Sequence, residues 1–253
     1  MEMTRSGIDF RFNTEARAVH PMESGAEVEL GDGTRMPADV VLWTLGRKGN
    51  TDRLGLESVS MNPTDRGLIN VDSSFRTSCP GIWAAGDVIG FPGLASTSMQ
   101  QAGIAVDDMF ELPNRTTISS LLPMGIYTIP PVASIGLTEA ELLEQGRDLV
   151  IGRAEYRRNA RGRMLGDDKG IVKLVFDRNT RLLLHATIVG EDATELVHLP
   201  MMAMASDWTI NDFRETCFTY PSLGALFKSA ANRAEQRIQT DSKKNRLTGD
   251  QAA

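Results

Sequence analysis

Apolar and polar positions alternate near the start of the chain, where Ile8, Phe10 and Phe12 are separated by Asp9 and Arg11. A period of two is the pattern of a half-buried strand. Ala26 to Leu30 and Thr34 to Met36 flank Gly31-Asp32-Gly33, which predicts a hairpin. The alternation then gives way to an unbroken apolar run, ADVVLWTLG over 38–46. Such a run predicts a strand covered on both faces, as in a parallel sheet. The glycine-rich, polar stretch GRKGNTDRLGLE follows as a loop. A second apolar run, Gly81 to Ala85, comes after Pro80 and stops at Gly86-Asp87. Beyond the FPGL turn, Ala95 to Met109 predicts a helix with Met99, Ala102, Val106 and Met109 on its apolar stripe.

From about residue 116 the texture changes. IYTIPPVASIG reads as a strand interrupted by proline, and Thr138-Glu-Ala-Glu141 is a capping box that opens a short helix. Leu149 to Tyr156, Gly170 to Asp177 and Arg181 to Val189 read as antiparallel strands, the last two joined by a turn at Arg178-Asn179-Thr180. Ala193 to Ser206 predicts a helix that Pro200 should bend or split. Leu223, Leu226, Phe227, Ala230, Ala231, Ala234 and Ile238 fall three and four apart, the spacing of an amphipathic helix. The polar residues after 240 read as a flexible tail. The chain thus divides into an α/β portion and an α+β portion, with the break near 112–118.

Composition narrows the function classes. The formal net charge of the 253 residues is -6, which disfavours nucleic acid and acidic membrane surfaces as partners. Two cysteines, Cys79 and Cys217, stand far apart and in no metal-ligand spacing, and read as small buried side chains. His20, His185 and His198 share no spacing with a metal site. MEMTRSGIDF has no apolar signal core, and no run approaches the roughly 18 residues of a membrane span. The expectation is a cytoplasmic protein without metal. Arg157, Arg158, Arg161 and Arg163 in YRRNARGRM read as a solvated loop or hairpin, and the methionines of LPMMAMA as core filling.

The strand end at Gly86-Asp87 is the first candidate for chemistry. Open α/β sheets bind ligands at the carboxyl ends of their strands. Glycine there admits a close ligand, and an ionised aspartate accepts hydrogen bonds from sugar or ribitol hydroxyls. An ordinary turn would use the same two residues. The neighbours decide between these readings. VDSSFRTSCPGIWAAGDVIGFPGLASTSMQQAG closely resembles the second FAD-binding motif of the pyridine nucleotide-disulfide oxidoreductase family. The resemblance implies that Asp87 binds the ribitol and pyrophosphate region of FAD, and that the backbone at Leu94, Ala95 and Ser96 meets the isoalloxazine ring. ADVVLWTLGRKGNTDRLGLE resembles the segment closing the family's NAD(P) domain, which would put Gly46 and Arg47 near a bound dinucleotide. The implied fold is α/β partial dinucleotide-binding domains followed by an α+β dimerisation domain. Residues 1–66 would close the NAD(P)-binding domain, 67–115 would close the FAD-binding domain, 116–240 would form the dimerisation domain of a homodimer, and 241–253 the tail.

Disulfide-reducing members of the family carry His-Pro near the carboxyl end, with a glutamate shortly after. Here CFTYPSLGA puts Tyr220 before Pro221 and Ala225 at the place of the acid. A phenol with a pKa near ~10 is a poor base at neutral pH, so thiol chemistry is disfavoured. The resemblance points instead to the branch that passes hydride between NADPH and NAD+ through the flavin, with nicotinamide nucleotides as its substrates. In that branch Tyr220 and Pro221 would lie beside the flavin, and no side chain is assigned as catalytic. Ala225 departs from the acid expected there. A fragment of a dihydrolipoamide dehydrogenase-like enzyme and a non-catalytic dimerisation module are the alternatives. Both Gly-x-Gly-x-x-Gly turns of the family are absent, so on the family plan about 200 residues lie upstream at ordinary domain sizes. A truncated reading frame, an expressed fragment and a split protein with a separate amino-terminal half all fit, and the chain by itself is expected to be inactive.

Overall fold

A computed structural model describes residues 2–5, 7–112 and 118–249. The expected break at 115/116 and the end of the expected tail, 250–253, lie outside these residues. The chain forms two compact units, Arg11–Ser119 and Met1–Phe10 together with Ser120–Ala253. A single helical turn, α1 (Glu2–Arg5), opens the chain.

In the unit of residues 11–119, β1 (Ala16–Pro21), β2 (Ala26–Leu30) and β3 (Arg35–Ala38) form an antiparallel sheet in that order. The expected hairpin is β2–β3, and its turn is held by Asp32, whose Oδ1 accepts from the Thr34 amide at 2.9 Å. The first strand of the sheet is β1, whereas the alternating stretch at Ile8, Phe10 and Phe12 is irregular. Neither apolar run becomes a strand. Residues 39–46 pair with nothing in a ladder, and Val40 and Leu42 are each 84% exposed, with Trp43 and Leu45 also in solvent. The run at 81–85 makes one bridge, Arg76 to Trp83. A parallel strand is stable only between neighbours, and the described residues of this unit provide none.

Helix α2 (Ala95–Met109) has the expected bounds but the opposite face inward. Thr97, Gln101, Ile104, Ala105 and Asp108 are buried, while Met99, Ala102, Val106 and Met109 are exposed. Specific hydrogen bonds bury the polar face. Asp108 accepts from Arg76 Nη2 at 2.8 Å and Trp83 Nε1 at 3.0 Å, and Gln101 Oε1 accepts from the Gly86 amide at 2.6 Å. A buried carboxylate is tolerable only with such partners.

The other unit is built on an antiparallel sheet of β4 (Met124–Ile126), β5 (Val132–Gly136), β6 (Leu149–Glu155), β7 (Ile171–Asp177) and β8 (Leu183–Val189), in the order β4-β5-β8-β7-β6. IYTIPPVASIG is therefore not one interrupted strand but part of a hairpin, with β4 folded back on β5. Helix α3 (Glu139–Glu144) carries the expected capping box on Thr138. Helix α4 (Ala160–Leu165) takes up part of the arginine-rich stretch expected to be a loop or hairpin, started by Asn159. Helices α5 (Ala193–Leu196) and α6 (His198–Ala205) divide at Val197. Proline clashes with the carbonyl four residues back, here that of Leu196, so Pro200 is accommodated in the first turn of α6. Helix α7 (Ile210–Glu215) brings in Phe213, and α8 (Ala225–Gly249) lays Phe227, Ala230 and Ala234 on β6 and β7. Phe213 packs edge-on to Phe176 and Trp208, with ring centroids 6.0 and 5.1 Å away.

Two local expectations are corrected. Helix α8 continues to Gly249, beyond residue 240, and Arg178 at the β7–β8 turn holds Asp241 at 3.0 Å as well as Asp148 at 3.1 Å. Cys217 is exposed, not buried.

His185 is buried, with Nδ1 3.3 Å from the Gly136 carbonyl and Nε2 2.7 Å from Thr187 Oγ1. Burial holds its pKa below the ordinary 6.5, so the unfolded chain takes up a proton more readily than the fold. The stability linked to this group is full above about pH 6.5 and falls as pH drops below it, by at most ~1.4 kcal/mol per unit. Urea midpoints between about pH 5 and 7.5 should show this decline, and His185→Gln should flatten it.

Candidate functional site

The cavity of the 11–119 unit has a volume of about 610 Å³ and lies between the loop at 47–50, the turn around Arg66 and the segment 87–93. Two glycines make its frame. The Gly49 amide donates to the Arg66 carbonyl at 2.8 Å, and a Cβ on Gly49 would stand 2.0 Å from the Gly67 carbonyl oxygen. No other residue permits that approach of two backbones. Thr51 locks the same crossing from the buried side, its hydroxyl donating to the Gly67 carbonyl at 2.9 Å. Arg66 then reaches back to the Arg47 carbonyl at 3.2 Å.

Asp87 stands in a 3-10 turn, Gly86–Ile89, directly after the second apolar run. Gly86 has φ +84, and a side chain there would press on Ser98 Oγ at 3.2 Å, so the turn lies tight on the start of α2. The Asp87 carboxylate forms an ion pair with Arg47 and stays 43% exposed. It can therefore still accept from a ligand hydroxyl. At the head of α2, Leu94 is the N-cap and no side chain caps the helix. The first amides of a helix carry partial positive charge and bind electron-rich groups. A carboxylate acceptor, three cations (Arg47, Lys48 and Arg66) and a helix start thus belong to one small region. Such a donor and acceptor set suits a ligand with both hydroxyls and phosphates.

Two models of one family match this chain. Pyridine nucleotide-disulphide oxidoreductase covers residues 1–102, and the dimerisation domain of the same family covers residues 122–231. The chain belongs to the pyridine nucleotide-disulphide oxidoreductase family. It is similar to the C-terminal part of soluble pyridine nucleotide transhydrogenases. That of Chromohalobacter salexigens is 36% identical over 239 residues, covering 93% of this chain and 51% of the relative. That of Mycobacterium bovis is 38% identical over 224 residues, covering 88% and 48%. Among solved structures, LpdA from Mycobacterium tuberculosis matches with a TM-score of 0.77 at 28% identity, over 92% of this chain and 50% of that one. The disulfide reductase RclA from Escherichia coli, at 24% identity, shares the fold with a TM-score of 0.82 over 91% and 52%. The chain spans about half the length of the curated relatives it matches.

Of the residues singled out by sequence, Arg47 and Asp87 line one cavity. Gly46 and Gly86 adjoin it in the chain, and Leu94, Ala95 and Ser96 follow its Gly93. Tyr220 and Pro221 belong to the other unit, where Tyr220 is 82% exposed ahead of α8. Lys48, Asn50 and Arg66 were not foreseen as site residues. The signal for them was the pair of glycines, Gly49 and Gly67, each beside a cation in sequence. Among the described residues no cluster of side chains could hold a metal ion, and no helix is long and apolar enough to cross a membrane.

Proposed function

We propose that this chain is the C-terminal portion of an FAD-dependent oxidoreductase that transfers hydride between NADPH and NAD+. The observation that carries the reading is the Gly86-Asp87 turn packed on the uncapped start of α2, in a chain similar along its length to transhydrogenases. On this reading residues 1–66 and 67–115 complete the NAD(P) and FAD domains, and 116–240 makes a homodimer. FAD, when bound, accepts hydride from one nicotinamide and returns it to the next. Asp87 would accept from the ribitol hydroxyls, and the amides at Leu94, Ala95 and Ser96 would favour electron density at the ring. Gly46 and Arg47 would border the dinucleotide, and Tyr220 with Pro221 would border the flavin. No thiol is reduced, so no base is needed where Tyr220 and Ala225 stand.

The residues present fit one end of FAD and not all of it. The glycine-rich turns that seat a pyrophosphate are absent from the sequence. The exposed run at 40–45 and the exposed face of α2 present apolar surface that the remaining length of the relatives would cover. Purified by itself, the chain should lose flavin on gel filtration. Joined to the upstream half of the Chromohalobacter salexigens relative, it should retain about one FAD per chain, and Asp87→Ala should weaken retention about tenfold. Stoichiometric flavin on the chain by itself, or a joined, folded protein that never holds flavin, would overturn the reading.

A further inference from the structure

Four arginines that are scattered in sequence meet on the unit of residues 120–253. Arg153 at the end of β6, Arg158 in the turn after it, and Arg233 and Arg237 on successive turns of α8 line a cavity of about 530 Å³. An adjoining groove of about 430 Å³ shares Arg158, Arg233 and Gln236 and adds Ser229 and Asn232. The placement is fixed by backbone. A Cβ on Gly152 would stand 1.9 Å from the Ala230 carbonyl oxygen, so α8 rests directly on β6. Arg233 Nη1 then donates to the Arg153 carbonyl at 3.0 Å.

Two acids share these walls, Asp241 in the first cavity and Glu155 in the adjoining groove, and both are already engaged. Glu155 is held by Arg157 and Arg158, and Asp241 by Arg178. Among the described residues, Arg153 and Arg237 have no carboxylate within ion-pair distance. In a chain of net charge -6, this is a local excess of cations whose mutual repulsion an anion would relieve. Guanidinium groups bind phosphate oxygens in pairs, through a rigid planar fork. The cavity of about 530 Å³ is larger than a single phosphate needs, and its guanidinium groups come from the strand end, the turn and two helical turns, which suits a chain of phosphates.

We propose that this groove is a binding site for a small anion carrying two or more linked phosphates. None of its residues lines the Asp87 cavity, and the inference stands apart from the hydride-transfer reading. The source of the phosphates, a free polyphosphate or the phosphate chain of a nucleotide, is separated by the choice of probe.

The test is calorimetric titration of the full chain with orthophosphate, pyrophosphate, tripolyphosphate, citrate and ATP at low salt. One saturable site is expected, binding tripolyphosphate at least about tenfold more tightly than orthophosphate or citrate. Arg153→Ala with Arg237→Ala should weaken it by on the order of 100-fold, and added salt should weaken it further. ATP equal to tripolyphosphate supports a site that reads phosphates only, and tighter ATP supports a nucleotide ligand. Arg161→Ala with Arg163→Ala removes the same charge from outside the groove and should leave binding unchanged. The two groove arginines hold no partner carboxylate, so their loss should not alter the circular dichroism, and Arg237→Gln gives a second, milder variant. No saturable binding, equal binding of citrate, or equal loss in the control pair would overturn the proposal.

Discussion

Gly152→Val should abolish the fold of the unit that carries the five-stranded sheet. Even the methyl group of alanine would stand 1.9 Å from the Ala230 carbonyl oxygen and 2.7 Å from its carbon. Neither atom can swing aside, because Ala230 is fully buried in the second turn of α8 between Phe227 and Ala234. The helix would have to lift from β6, uncovering Val150, Ala154 and Phe227. Overpacking of a tight core costs about 1–3 kcal/mol for added methylenes against side chains, and a collision with backbone exceeds that range. Folded domains hold only about 5–15 kcal/mol, and valine adds two further methyls and a strand-restricted rotamer. Circular dichroism and urea unfolding of Gly152→Ala and Gly152→Val check this. Alanine should lower the midpoint sharply, and valine should leave no cooperative transition for this unit. A valine variant with the parental midpoint would mean that β6 and α8 do not meet as described.

The α+β portion was largely legible in the sequence because its strands find their neighbours inside the chain. The strand runs of β6, β7 and β8, the turn at Arg178-Asn179-Thr180 and the Thr138 cap are local signals, and the structure satisfies them locally. The runs at 38–46 and 81–85 carry an equally clear signal for covered strands, yet they stay unpaired. Apolar patterning states what a segment needs and does not state that the partner is present. The inverted face of α2 has a different cause. Counting apolar residues favours Met99 and Val106, whereas Asp108 and Gln101 are drawn inward by Arg76, Trp83 and the Gly86 amide. These contacts span 15 to 32 residues and leave no trace in a helical wheel.

The site divides in the same way. Gly86-Asp87 was readable because turn, helix start and acid lie within a short stretch of sequence. Arg66 reaches the cavity only through the Gly49–Gly67 crossing, a contact that no spacing rule announces. The arginine groove depends on α8 lying across β6, so Arg153 and Arg233, 80 residues apart, could not be paired in advance. In the sequence, Arg158 belonged to a basic run with Arg161 and Arg163. In the fold it leaves them for a cavity with Arg233 and Arg237.

Hydride transfer without thiol chemistry, as proposed above, should show as an all-or-none difference between two assays. On the proposed reading Tyr220 takes the place of the base that a disulfide reductase uses; it is exposed ahead of α8, with Ala225 opening the helix. Thiol exchange needs a group that trades protons near neutral pH, a task that falls to histidine in such enzymes. Hydride exchange asks only that two nicotinamides meet the flavin in turn at the right distance, so orientation supplies most of the acceleration. The decisive measurement is the protein joined to the upstream half of a transhydrogenase relative, assayed in parallel with NADPH plus an NAD+ analogue and with NADH plus lipoamide. The expected result is reduction of the analogue and no reduction of lipoamide. Lipoamide reduction without transfer to the analogue would contradict it.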